Sequence, residues 1–177
     1  MLKRLPLAKD ILPVYAVTAF LIQAWTIGVF IRQLDSFSYF LNVNDILAIF
    51  AYRMAESFLE CLLVMGLLIA AAVILPARAF RDVFAIRGAA FALILLGSVI
   101  LFWKRFAADP GVLMADLIRL WSVGTLLFAC LSSYASTKSS ALSDFFDWVS
   151  DRMVVFLYLL IPLSVASLIA VMVRNIL

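Results

Sequence analysis

Residues 45–77 read DILAIFAYRMAESFLECLLVMGLLIAAAVILPA. As one helix of 33 residues this stretch is about 50 Å long, against roughly 30 Å of bilayer hydrocarbon. Its second part, 61–77, has no charged side chain, whereas its first part carries Arg53, Glu56 and Glu60. At about 100° per residue, Glu56 and Glu60 lie about 60° and 20° to one side of Arg53. Asp45 and Ser57 share that broad face, and Leu47, Phe50, Met54 and Phe58 make the opposite one apolar. The pattern is that of an amphipathic, polar-striped helix.

Working outward, four further charge-free runs occupy 11–31, 88–103, 120–137 and 153–173. A span needs about 20 mostly apolar residues, and flanking Lys and Arg can snorkel where a run is short. The chain therefore reads as an all-α integral membrane protein, a five-span helix bundle with an extended second helix. The spans are placed at about 11–32, 45–77, 86–105, 112–135 and 150–174, in one transmembrane domain over 1–177. Composition agrees: 67% of the 177 residues are hydrophobic and 14% charged, with a mean hydropathy of +1.15. Soluble domains run at roughly 45–50% apolar and about 25% charged. The positive flank Lys3, Arg4 and Lys9 precedes an apolar run of 21 residues, 11–31. That is longer than the roughly 7–15 residues of a signal peptide's core, so the first run is a retained span.

Local signals refine the spans. Asn44-Asp45 reads as the N-cap of the second helix. Asp109-Pro110-Gly111 reads as a tight turn that makes spans three and four a close hairpin. Residues 132–140, SSYASTKSS, read as a polar loop, and Asp144 or Asp147 as an early start to the last helix with Asp147 facing its free amides. Pro162 predicts a kink in span five. Gly66, Ala70 and Ala71 on span two, and Ala89, Ala90 and Gly97 on span three, permit close helix contact.

Lys and Arg set the expected orientation. With the N-terminus inside, Lys3, Arg4, Lys9, Arg78, Arg81, Arg87, Lys138 and Arg152 are cytoplasmic, and Arg32, Arg53, Lys104, Arg105, Arg119 and Arg174 are outside. The eight-to-six balance favours a cytoplasmic N-terminus and an external C-terminus. The expected location is a bacterial plasma (inner) membrane.

The candidate functional residues form an intramembrane polar network of Arg53, Glu56, Glu60, Asp116, Arg119 and Gln23. Two placements of the second helix compete. In one, the bilayer begins near Glu60 and the stripe is a solvated face. In the other, the stripe lies within the membrane against a cavity or partner, where ionisable groups are costly and mark an ion pair or a function. A third possibility is a flat interfacial helix over 45–57 with a bend before the span. Asp116 and Arg119, in the first turns of span four, are expected at the level of Glu56 and Glu60, so that Arg119 pairs with one of them. Gln23, a lone amide in span one, is expected to face another helix.

Several function classes are excluded. There is no His in the chain, hence no His ligand for haem, zinc or copper and no His base. Cys61 and Cys130 stand far apart and form no CxxC, and there is no Gly-rich phosphate loop. No cofactor or metal is expected, nor an enzyme; a lipid-headgroup enzyme lacks any constellation of recognisable spacing. The dispersed net charge of +3 gives no footprint for nucleic acid. The expected function is that of an accessory or structural subunit of a larger membrane complex. Its expected partners are the lipid bilayer and other membrane subunits or copies of itself. The alternative is a small oligomeric transporter or channel that uses Arg53, Glu56 and Glu60.

Overall fold

The computed structural model describes residues 6–75, 80, 83–106 and 114–176. Five α-helices follow one another: α1 (Ala8–Phe40), α2 (Val43–Ile74), α3 (Phe84–Phe106), α4 (Met114–Ala135) and α5 (Ser140–Ile176). All five are long and apolar enough to cross a membrane. A helix satisfies its own backbone polar groups, which is what a span in hydrocarbon requires.

The helices α1, α2, α3 and α5 form the packed body, and α4 lies against α3. The buried face of α1 is Val14, Ala16, Val17, Thr18, Ala19 and Gln23. One core cluster joins Val14 and Val17 to Met65, Leu68 and Ala72 of α2 and to Phe84, Ala89 and Ala92 of α3. A second joins Ala16, Ala19, Cys61 and Leu157. Small residues set the α1–α3 distance, because a Cβ on Gly88 would stand 2.9 Å from Val14 Cγ2. Ala89 is buried in the same cluster as Val14, and Ala90 is buried as well. Gly66 and Gly97 have open space around them, and Ala70 is exposed, so the close contacts expected there do not form.

Several boundaries differ from those expected. The link between α1 and α2 is only Leu41-Asn42, so α2 begins before Asn44-Asp45; its N-cap is Asn42, and no side chain caps it. The helix is continuous from Val43 to Ile74, which removes the flat interfacial segment with a bend. The polar segment 132–140 is mostly not loop. Ser132 and Ser133 complete α4, where the Ser133 hydroxyl donates to the Ala129 carbonyl (2.7 Å), and α5 starts at Ser140. Serine can stay in a helix by bonding backward in this way. Asp147 is therefore two turns into α5 and faces no first-turn amides. Helix α5 runs on through Pro162. The turn Asp109-Pro110-Gly111, and Arg78 and Arg81, lie outside the described residues, but α3 and α4 do pack as neighbours.

The Gly88 contact is a stability test. Val14 is fully buried and β-branched, so it cannot rotate away cheaply. Gly88→Ala should cost about 1–3 kcal/mol, the range for overpacking. Combined with Val14→Ala, the loss should be smaller than the sum of the two single losses, as read by unfolding of the purified chain in lipid nanodiscs.

Candidate functional site

Contacts between helices fix their relative levels. Gly88 meets Val14 across α1 and α3, Ser98 and Thr125 hydroxyls bond across α3 and α4 at 2.7 Å, and Gln23 reaches Ser164 across α1 and α5 at 2.9 Å. In that register the charge-free runs of α1, α3, α4 and α5, centred near Leu21, Leu95, Phe128 and Leu163, share one level. Phe30 of α1 meets Phe50 of α2 with ring centroids 5.0 Å apart. Ten residues further along each antiparallel helix, Phe20 and Glu60 stand level. The packing of Cys61 beside Ala19 and Leu157 agrees. Glu60 is therefore at the middle level of four charge-free runs. The centre of α2's own run, Ile69, lies about 13 Å beyond it along the helix axis.

The α2 stripe lines a cleft of about 550 Å³ between α1, α2 and α3. Arg53, Glu56, Ser57 and Glu60 supply its α2 wall, Trp25, Thr26, Phe30 and Gln33 part of its α1 wall, and Leu96, Val99, Ile100 and Trp103 its α3 wall. Arg53 Nη1 lies 3.6 Å from Glu56 Oε2, the i, i+3 pairing expected from their spacing. Among the described residues Glu60 has no ion-pair partner. One turn separates it from Glu56, and Arg53 is about 10 Å away along the helix axis. Arg32 sits over the Trp25 ring, 5.2 Å from its centroid, about 18 Å along α1 from the level of Glu60.

The remaining candidates go elsewhere. Gln23 is buried and faces α5: its Nε2 donates to Ser164 Oγ, and the Ser164 hydroxyl donates in turn to the Leu160 carbonyl (2.8 Å). Gln23 Oε1 accepts no hydrogen bond among the described residues. The predicted pairing of Arg119 with Glu56 or Glu60 does not occur. Helix α4 packs on α3, and Arg119 Nη1 lies 3.8 Å from Asp116 Oδ1, with both side chains about four-fifths exposed. By the same register Arg119 stands level with Phe50, about 9 Å from Glu56 along the axis, and α3 carries α4 away from the stripe. Asp45, on the polar face, meets Arg174 of α5 at 3.9 Å, and Tyr52 donates to Asn175 Oδ1 at 2.7 Å.

No family model matches this chain. Nor does it match any curated protein or solved structure.

Sequence reasoning did not find Ser164, Trp25 or Trp103. A serine within an apolar run is a readable signal for an interhelical bond, but its partner depends on helix order. Two tryptophans on different helices carry no sign of a shared cleft. Among the described residues no group of three or more His, Cys, Asp or Glu is placed to hold a metal ion.

Two outcomes are expected. Ser164→Ala leaves the buried Gln23 amide unpaired and should cost on the order of 0.6–1.7 kcal/mol, from the average to the largest value for intramembrane hydrogen bonds. Adding it to Gln23→Leu should cost almost nothing more; independent losses would show that the two do not act as a pair. Arg119→Ala should leave the unfolding midpoint unchanged, because an exposed i, i+3 pair contributes little.

Proposed function

We propose that this chain is a non-enzymatic polytopic membrane protein that admits a ligand to the α1–α2–α3 cleft, as a small carrier or binding protein. The observation that carries this reading is the level of Glu60. If the four aligned charge-free runs are centred in the hydrocarbon, Glu60 is near the midplane, with Glu56 and Arg53 within the same leaflet. Charged groups at that depth face a cavity or a partner, because hydrocarbon does not solvate them. The excess of Lys and Arg at the end where α1 begins supports a cytoplasmic N-terminus, in a bacterial plasma membrane, so that the stripe lies in the outer leaflet.

Water access tests the reading. In a background of Cys61→Ala and Cys130→Ala, Leu63→Cys faces the cleft, whereas Tyr158→Cys and Leu159→Cys stand at a similar level on the exposed outer face of α5. A membrane-impermeant methanethiosulfonate should modify the cleft position at least about tenfold faster, since only the thiolate in contact with water reacts. Equal, slow rates at all three positions would exclude a hydrated cleft.

A second reading, the accessory subunit, draws on the α1–α2 hairpin. Its tip extends about 30 Å from the level of Leu21, roughly 15 Å past the hydrocarbon edge. There it presents Tyr39, Phe40 and Val43, which are 83%, 88% and 71% exposed. Apolar groups bare of both lipid and protein favour a partner. Native mass measurement after mild solubilisation should then find other subunits with the wild type and fewer with Tyr39→Ser, Phe40→Ser and Val43→Ser combined. A chain that travels alone in both forms contradicts this reading.

A further inference from the structure

We propose that the cleft takes an organic cation with an apolar body, and that Glu60 exchanges this cation for a proton. The inference rests on the ligand-cleft reading above and names the class of ligand.

Charge decides the sign of the ligand. Among the described residues the titratable groups on the cleft wall are Arg53, Glu56 and Glu60. Arg53 and Glu56 compensate each other at 3.6 Å, leaving the Glu60 carboxylate as the uncompensated charge among the described lining residues. From α1 and α3 no titratable group is among the lining residues, although Arg32 of α1 sits over the lining Trp25 ring; Tyr15 and Cys61 lie on the packed side of the bundle, and Tyr158 of α5, at a similar level, is on its exposed outer face. An anion would meet like charge on the ionised carboxylate, whereas a neutral molecule would bind with Glu60 still protonated and release no proton.

The walls decide the body of the ligand. Leu21, Ile22 and Leu96 supply hydrocarbon, and Trp103 and Trp25, the latter with Arg32 over its ring, supply aromatic rings on facing helices. Aromatic faces attract cations, and apolar area rewards a carbon-rich molecule. A bare metal ion needs several oxygen, nitrogen or sulfur ligands, and a single unpaired carboxylate does not provide them. The volume of about 550 Å³ is within the range of small-molecule sites.

Exchange follows from having one carboxylate and two competitors. With the cleft empty of ligand, a proton on Glu60 removes the uncompensated charge. When the cation enters, the O–H bond of Glu60 breaks, the proton leaves to water, and the carboxylate compensates the cation. Occupation of the site by one excludes the other, which is the elementary requirement for coupled antiport.

The test uses the full chain in nanodiscs of zwitterionic lipid, with calorimetric titration of tetraphenylphosphonium and of tetraphenylborate, its anionic isostere. Empty discs supply the partition background. Tetraphenylphosphonium should bind saturably and at least about tenfold more tightly than the borate. Its affinity should fall by up to about tenfold per pH unit on the acid side of the Glu60 titration. Titration in buffers of different ionisation enthalpy should show release of up to about one proton per cation. Glu60→Gln should weaken binding by about tenfold or more and flatten the pH dependence, while Glu60→Asp should keep the slope. Unchanged affinity and slope in Glu60→Gln, or equal binding of the borate, overturns the proposal. Absence of saturable phosphonium binding also overturns it, and the reactivity of the Leu63→Cys chain then separates the two failures. Fast labelling leaves a hydrated cleft with another class of ligand; slow labelling removes the cleft reading as well.

Discussion

A charged side chain is poorly solvated by hydrocarbon, and that constraint organises the whole molecule. Charges bracket each of the helices α1, α3, α4 and α5, and the bundle aligns the four runs between them. The alignment is made by short-range contacts that have nothing to do with charge: a glycine against a valine, a serine against a threonine, an amide against a serine hydroxyl. Once these contacts are fixed, α2 has no freedom left. A two-residue link and the packing of Cys61, Met65 and Leu68 hold it against α1, so that its charged half lies level with the apolar middle of its neighbours.

The hub of this arrangement is α1, which packs on α2, α3 and α5. Its buried face is made of small or β-branched side chains with one amide, so three helices can approach it closely. Towards the α1–α2 hairpin the small residues give way to Trp25, Val29 and Phe30, and the cleft opens between α1, α2 and α3. The cleft thus follows from a change in side-chain size along one helix. Among the described residues α4 contributes nothing to its lining. It leans on α3 through the Ser98, Thr125 and Trp121 hydrogen bonds.

Much of the architecture was legible because it depends on counting along the chain. The number of helices, the neighbouring of α3 and α4, the Arg53–Glu56 pair and the burial of Gln23 against another helix all follow from run lengths and spacing. What was not legible depends on which helix stands beside which. Run lengths alone set Arg119 beside Glu56 or Glu60, but the helix register puts it level with Phe50, about 9 Å from Glu56, and α3 takes the place beside α4. The depth of the stripe was ambiguous for a related reason. The run 61–77 is long enough to span by itself, whereas the registers of the four other helices support the deeper placement proposed above. Boundaries erred where serine was taken as a loop former, because at Ser133 the hydroxyl bonds back to its own helix.

The treatment of two polar side chains at almost the same level carries the functional argument furthest. Gln23 points into the packed side of the bundle, and a serine from α5 meets it; the hydroxyl's own proton is committed to Leu160, leaving its oxygen to accept. Glu60 costs far more to leave uncompensated, because it bears a full charge, yet it turns towards an open cleft and no basic group of the described chain reaches it. A fold that supplies a partner for its amide can equally supply one for its acid, and Arg53 is at hand on the same helix face. That arginine is instead positioned one turn from Glu56. The pairing leaves the deeper carboxylate exposed to whatever enters between Trp25 and Trp103. On the function proposed above, the compensation of Glu60 comes from outside the chain, through the cleft.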